Sequence, residues 1–359
     1  MSVCCHMAGF RNKQSDQQKA SFLKDAFLSA PLHTFFRMAK RQHIPMVAVG
    51  VSGGPDSAML LVYAAHIARQ YQVIVQGVHV HHGLQAIADQ WVLHTQALAK
   101  MLDVDCSIEY VKVDAASGLG TEAAARNARY QAYEDFAART GIRHFLLAHH
   151  LYDQTETVLL RLLRGAGVQG MAAMGPYTQR GNLHFYRPWL EVSRQNILGA
   201  AEQFALETGW QAVHDPTNLD PKYTRAAVRE MLVPALDERW RGWRKNLARH
   251  SRLMAENALL LRDLAQHDYA VLDAGSDNRS FSLRKWRELP EHRQANLMRY
   301  WLDLQNIAMP TEARLSEWIK QLRQLHQMGS DRNLRLKHGD AEIRVVKGRV
   351  VMVPGILKD

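Results

Sequence analysis

The residues with the clearest chemical potential form one short segment, Ser52-Gly53-Gly54-Pro55-Asp56-Ser57. It follows an apolar, β-branched run at residues 46–51, which predicts a buried strand, and precedes residues 58–70, whose apolar side chains recur at helical spacing. Glycines allow close backbone approach and positive φ, and a helix N-terminus offers unpaired N–H groups and a partial positive charge. Two serine hydroxyls add hydrogen-bond donors. The segment therefore predicts a cradle for an anion, most simply a phosphate.

This loop differs from two well-known phosphate-binding loops. No Gly-Lys-Ser/Thr follows it, so it is not a Walker A loop, and the GxGxxG dinucleotide fingerprint is absent. Asp56 would repel a phosphate unless it held a cation, so we predict that Asp56 is a ligand of Mg²⁺. The alternative is a glycine-rich turn that binds nothing.

The elements that must position this loop alternate between strand and helix. Further strands are predicted at residues 73–80, 107–113 and 145–148, and the helices that follow them at 89–102, 121–140 and 154–163. Such repeats predict an α/β fold, a parallel sheet with helices on both faces, with ligands beyond the carboxyl ends of the strands. The polar motifs lie at those ends.

The rest of the chain is mainly helical. A helix is predicted at residues 21–43, a glycine-rich loop at 165–190 and a helix at 191–208; residues 224–270 and 282–326 are strongly helical, and strands are predicted at 341–346 and 349–353. We therefore expect a tail and helix at residues 1–45, a catalytic domain at 46–222 and a mainly helical domain at 223–359 that ends in a short strand pair.

Charged motifs follow the predicted strands. His79, His81 and His82 end the second strand, where they could bind a metal, contact a nucleotide or have no role. Arg126 and Arg129 share one helix face, which suits phosphate or an ion-pair surface with Glu122. Asp153 and Glu156 begin another helix, and Asp153 could be only a helix cap.

These motifs resemble a known family. The loop is similar to the PP-loop of the ATP pyrophosphatases, which cleave ATP between the α- and β-phosphates. With it occur the runs His79–Leu84, Glu122–Tyr130 and Ala148–Thr157, then Arg187-Pro188-Trp189-Leu190 and Asp215-Pro216-Thr217-Asn218. In this order they resemble the tRNA(Ile)-lysidine synthetases, strongly over residues 46–240. Where the family usually has Arg-Asn, this chain has Arg225-Ala226.

The resemblance implies substrates and site residues. It implies ATP with Mg²⁺, L-lysine, and tRNA(Ile) with a CAU anticodon, whose cytidine 34 receives lysine at C2 through an O2-adenylated intermediate. Nucleotide binding is expected at Ser52, Gly53, Gly54, Pro55, Asp56, Ser57 and His79, through backbone contacts to adenine in the case of His79. Catalytic roles are expected for Asp56, Arg126 and Asp153. Lysine or tRNA contacts are expected at Arg129, Asp153, Glu156, Arg225 and Arg229. Asp153 and Glu156 would receive lysine's ammonium or Mg²⁺. Family members are often dimers, which leaves a homodimer open.

Charge and composition narrow the class of protein. The net charge is +10 with a pI near 9.6, and most of the excess lies after residue 219, which suits a bound polyanion or simply a solvated basic surface. No apolar run could span a bilayer and residues 1–19 hold no signal peptide, so a cytoplasmic location without membrane contact is expected.

Three alternative functions are considered from the sequence. A cytidine thiolase of the PP-loop class would usually need paired cysteines, and the three cysteines form no CxxC. A small-molecule PP-loop synthetase would not explain the basic second half. A non-catalytic RNA-binding protein would not need an intact phosphate loop. The run Trp240-Arg241-Gly242-Trp243-Arg244-Lys245 either stacks and binds RNA or packs its tryptophans inward.

Overall fold

The computed structural model describes residues 21–83, 87–113, 120–213, 224–325, 334–339 and 341–354. The chain divides into two compact units, Met1–Arg252 and Leu253–Asp359. The motif Asp215-Pro216-Thr217-Asn218 and the expected domain boundary at residues 222–223 lie outside the described residues, and that boundary stays a prediction. None of the described helices is long and apolar enough to cross a membrane.

A six-stranded sheet forms the centre of the first unit. Its strands are β1 (Met46–Gly50), β2 (Ile74–His81), β3 (Cys106–Tyr110), β4 (His144–Leu146), β5 (Tyr177–Arg180) and β6 (Leu183–Tyr186). Their order across the sheet is β3-β2-β1-β4-β6-β5, and all neighbours pair in parallel except β5 with β6. Because the carboxyl ends of parallel strands meet at one edge, the segments after β1, β2 and β4 lie side by side.

Helices surround this sheet. They are α1 (Ala26–Arg41), α2 (Pro55–Tyr71), α3 (Ala88–Leu102), α4 (Thr121–Thr140), α5 (Leu151–Leu163), α6 (Val168–Met171), α7 (Arg194–Thr208), α8 (Thr224–Ala227) and α9 (Val233–Arg239), with a 3₁₀ turn at Ser21–Lys24 and a π turn at Val228–Leu232. Their ends follow local rules. Pro55 stands in the first turn of α2, where no N–H is needed, and Gly141 and Gly209 end α4 and α7 at φ 76°.

Side chains of the sheet alternate between two cores. Val47 and Val49 of β1 pack in one core with side chains of α1, α2 and α7. Ala48 points the other way, into a core with Phe136 of α4 and Phe145 of β4. Both faces of a mostly parallel sheet are thus covered by helices, which confirms the predicted fold class.

The prediction of a loop throughout residues 165–190 is wrong. This stretch contains α6 and the hairpin of β5 and β6, and β6 extends the main sheet by pairing with β4. Each of the two strands has only four residues, too few to show a clear alternation of apolar and polar side chains. The two-residue turn Gly181-Asn182, with Gly181 at φ +55°, was the available signal.

The second unit has its own sheet and core. The long helix α10 (Trp243–Ala270) crosses the division between the units, and the second unit continues with α11 (Leu283–Glu288), α12 (Glu291–Leu304) and α13 (Glu312–Gln324). Its strands are β7 (Ser280–Ser282), β8 (Arg335–His338), β9 (Ala341–Val346) and β10 (Arg349–Pro354), in the antiparallel order β7-β10-β9-β8. Trp286, Trp301 and Trp318 are buried in its core. The expected pair β9–β10 is present, and two further short strands make a four-stranded sheet.

Candidate active site

The loop between β1 and α2 is held closed by its own serines. The Ser52 N–H donates to Ser57 Oγ at 3.0 Å, the two hydroxyl oxygens also lie 3.0 Å apart, and Ser57 Oγ donates to the Gly54 carbonyl at 3.2 Å. Gly53 has φ +88°, a conformation that strains other residues, and its carbonyl accepts the Val213 N–H at 3.1 Å. These hydrogen bonds fix the conformation of the loop at the N-terminus of α2, where an anion site is expected.

Asp56 lies at the mouth of this loop between the imidazole of His150 and the guanidinium of Arg194. Its Oδ1 is 3.5 Å from His150 Nε2 and 3.6 Å from Arg194 Nε. Burial acts to raise the pKa of Asp56, but His150 and Arg194 outweigh it, so the pKa is lowered and the carboxylate is ionised. Oδ1 is buried without a hydrogen-bond partner among the described residues. An unsatisfied carboxylate oxygen beside a phosphate loop fits Mg²⁺.

The described residues contain no preformed cage for a metal. No group of three or more His, Cys, Asp or Glu side chains in that part of the chain could hold a metal ion. Mg²⁺ needs no such cage when it is bound through one or two carboxylates, water and substrate phosphates. Asp56 alone is therefore compatible with the predicted role, which stays a prediction.

His150 joins the phosphate loop to α5. Its Nδ1 accepts the N–H groups of Tyr152 at 3.2 Å and Asp153 at 3.4 Å, and its own N–H donates to Asp153 Oδ2 at 3.0 Å. This is a capping box with histidine as the N-cap. Because Nδ1 is an acceptor there, Nε2 carries the ring proton towards Asp56. Burial lowers the pKa of His150, but Asp56 and Asp153 outweigh it and raise it.

Asp153 belongs to that cap, and Glu156 belongs to an ion pair. One carboxylate oxygen of Asp153 is bonded to the His150 backbone, so the capping role considered from the sequence is present. Arg229 Nε and Nη2 donate to the two oxygens of buried Glu156 at 2.6 and 2.9 Å. The structure thus joins two predicted site residues, and it fixes the π turn at Val228–Leu232 to α5. The predicted substrate contacts of Asp153, Glu156 and Arg229 stay predictions.

Arg126 and Arg129 lie exposed on α4, as neighbours on its surface. The Arg126 guanidinium lies 5.4 Å from the centre of the Tyr130 ring. Glu122, considered as their partner, pairs instead with Arg225, whose Nε is 3.1 Å from Glu122 Oε1. The two α4 arginines therefore keep their charge for another anion, which is compatible with their predicted roles.

His79 is buried and contacts the backbone of Val51, the residue that precedes the loop. Its Nδ1 lies 2.9 Å from the Val51 carbonyl, which can only accept, so Nδ1 carries the ring proton. Burial lowers the pKa of His79, and neighbouring His81 lowers it further, so the ring is neutral. His81 Nε2 lies 3.1 Å from Asp89 Oδ1. The adenine contact expected of His79 is not tested by this geometry.

Three further residues, His149, Arg187 and Arg194, lie at this edge without a role predicted from the sequence. Burial lowers the pKa of His149 to about 4; Asp153 opposes that shift, and nearby Arg187, Arg129 and Arg126 add to it. Buried Arg187 donates to the Gly175 carbonyl at 2.9 Å and has an unpaired Nε among the described residues. Arg194 had no sequence signal at all, because only folding brings it to Asp56.

Comparison with known proteins agrees with this geometry. The family described as PP-loop domain matches residues 28–236, and the family described as TilS substrate binding domain matches residues 281–351. A U34-tRNA thiolase, NcsA from Methanococcus maripaludis, has a similar fold, with a TM-score of 0.51, 14% identity, and coverage of 65% of this chain and 81% of that one.

Two relatives are similar to this chain at higher identity. A tRNA(Ile)-lysidine synthase of Bordetella pertussis is 53% identical over 304 residues, which cover 85% of this chain and 94% of that protein. A tRNA(Ile)-lysidine synthase of Burkholderia mallei is 40% identical over 306 residues, which cover 85% of this chain and 60% of that protein. With an intact phosphate loop, the matching fold and this identity, the chain belongs to the tRNA(Ile)-lysidine synthase family of PP-loop enzymes.

Proposed function

We propose that this protein joins lysine to C2 of the wobble cytidine 34 of tRNA(Ile) with a CAU anticodon, and that it uses ATP and releases AMP and pyrophosphate. The observation that carries the proposal is the 53% identity to a tRNA(Ile)-lysidine synthase across 94% of that relative's length. The closed Ser52–Ser57 loop, with Asp56 at its mouth, supports the use of ATP.

The chemistry has two steps. The O2 oxygen of the cytosine attacks the α-phosphate of ATP, the bond between the α- and β-phosphates breaks, and pyrophosphate leaves on the Ser52–Ser57 loop. The adenylated O2 is then a good leaving group. The neutral ε-amine of lysine attacks C2, AMP departs with O2, and lysidine results. The target base must be turned out of its stack, which a single-stranded anticodon loop allows.

The groups around the loop divide the work on the nucleotide. Backbone N–H groups and the hydroxyls of Ser52 and Ser57 bind the pyrophosphate portion. Asp56 would hold Mg²⁺ through its unsatisfied Oδ1, and the ion, when bound, neutralises charge on the phosphates. Arg126 and Arg129 lie on the exposed face of α4 and meet negative charge on the α-phosphate or the RNA.

Lysine binds at the start of α5. Asp153, which is partly exposed, receives an ammonium group and accepts the proton that the ε-amine must lose before attack; Asp56 is the other carboxylate within this edge that could do so. Glu156 acts there through Arg229, since both of its oxygens are already engaged. Arg225 and Arg229 contact the tRNA from the segment of residues 224–239.

The partners and the location follow from the substrate. A tRNA is met in the cytoplasm, so we place the enzyme there. The net charge of +10 supports binding of a polyanion by a large part of the surface. The homodimer left open by the resemblance to the family stays a prediction.

The rival activities are less favoured. The fold likeness to a U34-tRNA thiolase, at 14% identity, does not extend to chemistry. Burial raises the pKa of the Cys106 thiol to about 11, so this cysteine stays protonated and is a poor nucleophile. A small-molecule synthetase would have no use for the segment that matches a TilS substrate binding domain.

One experiment tests the proposal. Purified protein is incubated with Mg²⁺-ATP, radiolabelled lysine and a CAU-anticodon tRNA, and label is counted in acid-precipitable RNA. We expect label that depends on ATP and is lost with a tRNA in which cytidine 34 is replaced by uridine. AMP release without lysine incorporation, or label that ignores position 34, would refute the assignment.

A further inference from the structure

The phosphate loop has no cation of its own. The segment from Ser52 to Ser57 offers hydroxyls and backbone amides, but its one charged residue, Asp56, is negative. A departing pyrophosphate carries several negative charges, and enzymes that transfer phosphoryl groups place fixed cations around them. A positive side chain from another part of the chain must therefore approach this loop, in addition to any metal ion.

Arg194 is placed to do this. It is the first residue of α7, after the N-cap Ser193, whose Oγ accepts the Gln195 N–H at 3.3 Å. Further along α7, Ile197 and Phe204 are buried in the core that also contains α2. The backbone of Arg194 is therefore fixed relative to the helix that begins with the phosphate loop, and only its side chain is left to move.

The contact of Arg194 with Asp56 is loose. Nε lies 3.6 Å from Asp56 Oδ1, and neither atom has a hydrogen-bond partner among the described residues. By contrast, Arg229 and Glu156 form two hydrogen bonds of 2.6 and 2.9 Å. The Arg229 pair is a formed, bidentate interaction of the fold. Arg194 is held near the loop by charge but has no partner that satisfies its Nε.

The Arg194 side chain is only partly buried. Nε is buried, yet 40% of the side chain is exposed, so the exposed area lies on its other atoms. A guanidinium has five N–H donors in a planar fork that fits phosphate oxygens, and four of them are on the two terminal nitrogens. A planar cation whose Nε faces Asp56 and whose terminal nitrogens are not used in that contact is suited to a phosphate in the loop.

We propose that Arg194 is a pyrophosphate-binding residue, which contacts the β- and γ-phosphates of ATP and stabilises the charge that builds up on them when the bond to the α-phosphate breaks. In the nucleotide-free protein Asp56 keeps the guanidinium beside the loop. This inference rests on the pyrophosphate-forming step of the proposed function and adds a residue to it.

The competing explanation is that Arg194 only positions Asp56. The two roles differ when Asp56 is neutralised. If Arg194 acts only through Asp56, its removal has no further effect in an Asp56→Asn protein. If it binds phosphate directly, its removal weakens phosphate binding in both backgrounds, as a double-mutant cycle can show.

The experiment uses the full-length protein and inorganic pyrophosphate in metal-free buffer, with Kd measured by titration calorimetry. The proteins are the unmodified chain, Arg194→Gln, Arg194→Lys, Asp56→Asn, and Asp56→Asn with Arg194→Gln. Arg37→Gln, an exposed arginine on α1, is the matched control for lost charge. Circular dichroism melting curves verify folding, and Arg194→Lys keeps the charge if the glutamine variant is unstable.

We expect Arg194→Gln to weaken pyrophosphate binding roughly 10- to 100-fold, the effect of losing hydrogen bonds to a charged group. The same loss should appear in the Asp56→Asn background, a smaller loss in Arg194→Lys, and none in Arg37→Gln. An unchanged Kd for Arg194→Gln, or a loss that disappears with Asp56→Asn, would overturn the inference. Because neither lysine nor tRNA is used, failure of lysine incorporation would count against the proposed function and not against this result.

Discussion

His150 Nε2 lies 3.5 Å from Asp56 Oδ1, and this contact joins the ends of two neighbouring parallel strands. Asp56 belongs to the loop after β1, and His150 follows β4 and caps α5 through its other nitrogen. One imidazole therefore sets the first turn of α5 relative to the phosphate loop. The nucleotide site and the proposed lysine site at Asp153 are held in register by this side chain.

Replacing Asp56 with asparagine should abolish turnover. The amide keeps the shape of the side chain but removes the charge that would hold Mg²⁺ and that attracts His150 and Arg194. Since Asp56 is part of the loop and not of the basic surface, tRNA binding should be largely retained. Lysine incorporation and filter binding of tRNA on the same preparation test both halves; near-normal activity would show that the cation role is wrong.

Replacing His150 separates its two functions. Asparagine is a good N-cap but cannot reach Asp56 as the imidazole does, whereas alanine does neither. We expect His150→Ala to lose about 0.5–2 kcal/mol of unfolding free energy, the usual value of an N-cap. His150→Asn should keep most of that stability and still lose activity, roughly tenfold or more, by analogy with loss of one charge-assisted contact.

Denaturant unfolding and steady-state kinetics on the two variants decide this. If both variants lose equal stability, the Nδ1 cap does not contribute as the geometry implies. If His150→Asn keeps full activity, the contact with Asp56 has no part in the reaction.

Glu156 and Arg229 should be strongly coupled. Glu156 is buried, so removing Arg229 leaves a carboxylate without its partner, and removing Glu156 leaves a half-buried guanidinium. A double-mutant cycle with glutamine at each position should give a coupling of about 1–3 kcal/mol in unfolding free energy. The matched control is Arg139 with Glu109, at a similar 2.6 Å but with Arg139 59% exposed, where about 1 kcal/mol or less is expected.

The same variants test whether Glu156 meets lysine directly. If it does, Glu156→Gln raises KM for lysine and Arg229→Gln does not. If it acts only by holding Arg229, the two variants change KM alike. A coupling near zero would contradict the bidentate pair itself.

The order of elements could be predicted because it depends on local signals. Each element is indicated by residues inside it or next to it. Examples are the β-branched run of β1, the apolar spacing of α2 and the glycine that ends α4. The Ser52–Ser57 loop was visible for the same reason, since strand, glycines and helix start are contiguous. In contrast, the four-residue strands of the β5–β6 hairpin gave too little periodicity to be seen.

Long-range partners could not be predicted from spacing. Glu122 has Arg126 four residues away, yet it pairs with Arg225, because the fold brings that side chain of α8 to Glu122. Arg194 could not be predicted as a site residue because its place near the loop depends on a contact with Asp56, which is far away in the chain. A sequence shows which residues could carry charge to a site, but only packing decides which of them arrive.

Acid should destabilise the protein before its carboxylates titrate. Burial lowers the pKa values of His82, His144 and His149 to about 4, whereas histidines in an unfolded chain have pKa values near 6.5. Between these values the unfolded state binds more protons, so the free energy of unfolding falls as pH is lowered from about 6.5 to about 4. His150, with a raised pKa, adds stability only as pH falls to about 6.5, and its contribution stays constant below that value.

Urea midpoints at pH 7 and pH 5 measure this effect. His144 begins β4, at the opposite end of the strand from the site, so His144→Gln should reduce the difference between the two midpoints without removing a site residue. A midpoint that stays constant over this range, or one that rises on acidification, would contradict the burial of these rings as neutral bases.

The two tryptophans between the end of α9 and the start of α10 should respond differently to substitution. Trp243 is buried and its indole N–H donates to Asp237 at 2.8 Å, while Trp240 is 58% exposed. Next to them, the Arg244 guanidinium lies 4.2 Å from the centre of the Tyr152 ring, in the first turn of α5. Of the two interpretations of this run, inward packing applies to Trp243, and stacking on RNA remains available to Trp240.

We therefore expect Trp240→Ala to weaken binding of a CAU anticodon stem-loop roughly 5- to 100-fold, the range for one stacked base, with little change in melting temperature. Trp240→Phe should keep most of the affinity, because a phenyl ring can still stack. Trp243→Ala should instead lower the melting temperature, since it leaves a cavity where the buried indole was. Fluorescence anisotropy with a labelled stem-loop gives the affinities. If Trp240→Ala binds as tightly as the unmodified protein, the exposed indole is not an RNA contact, and the anticodon loop must be held by the arginines alone.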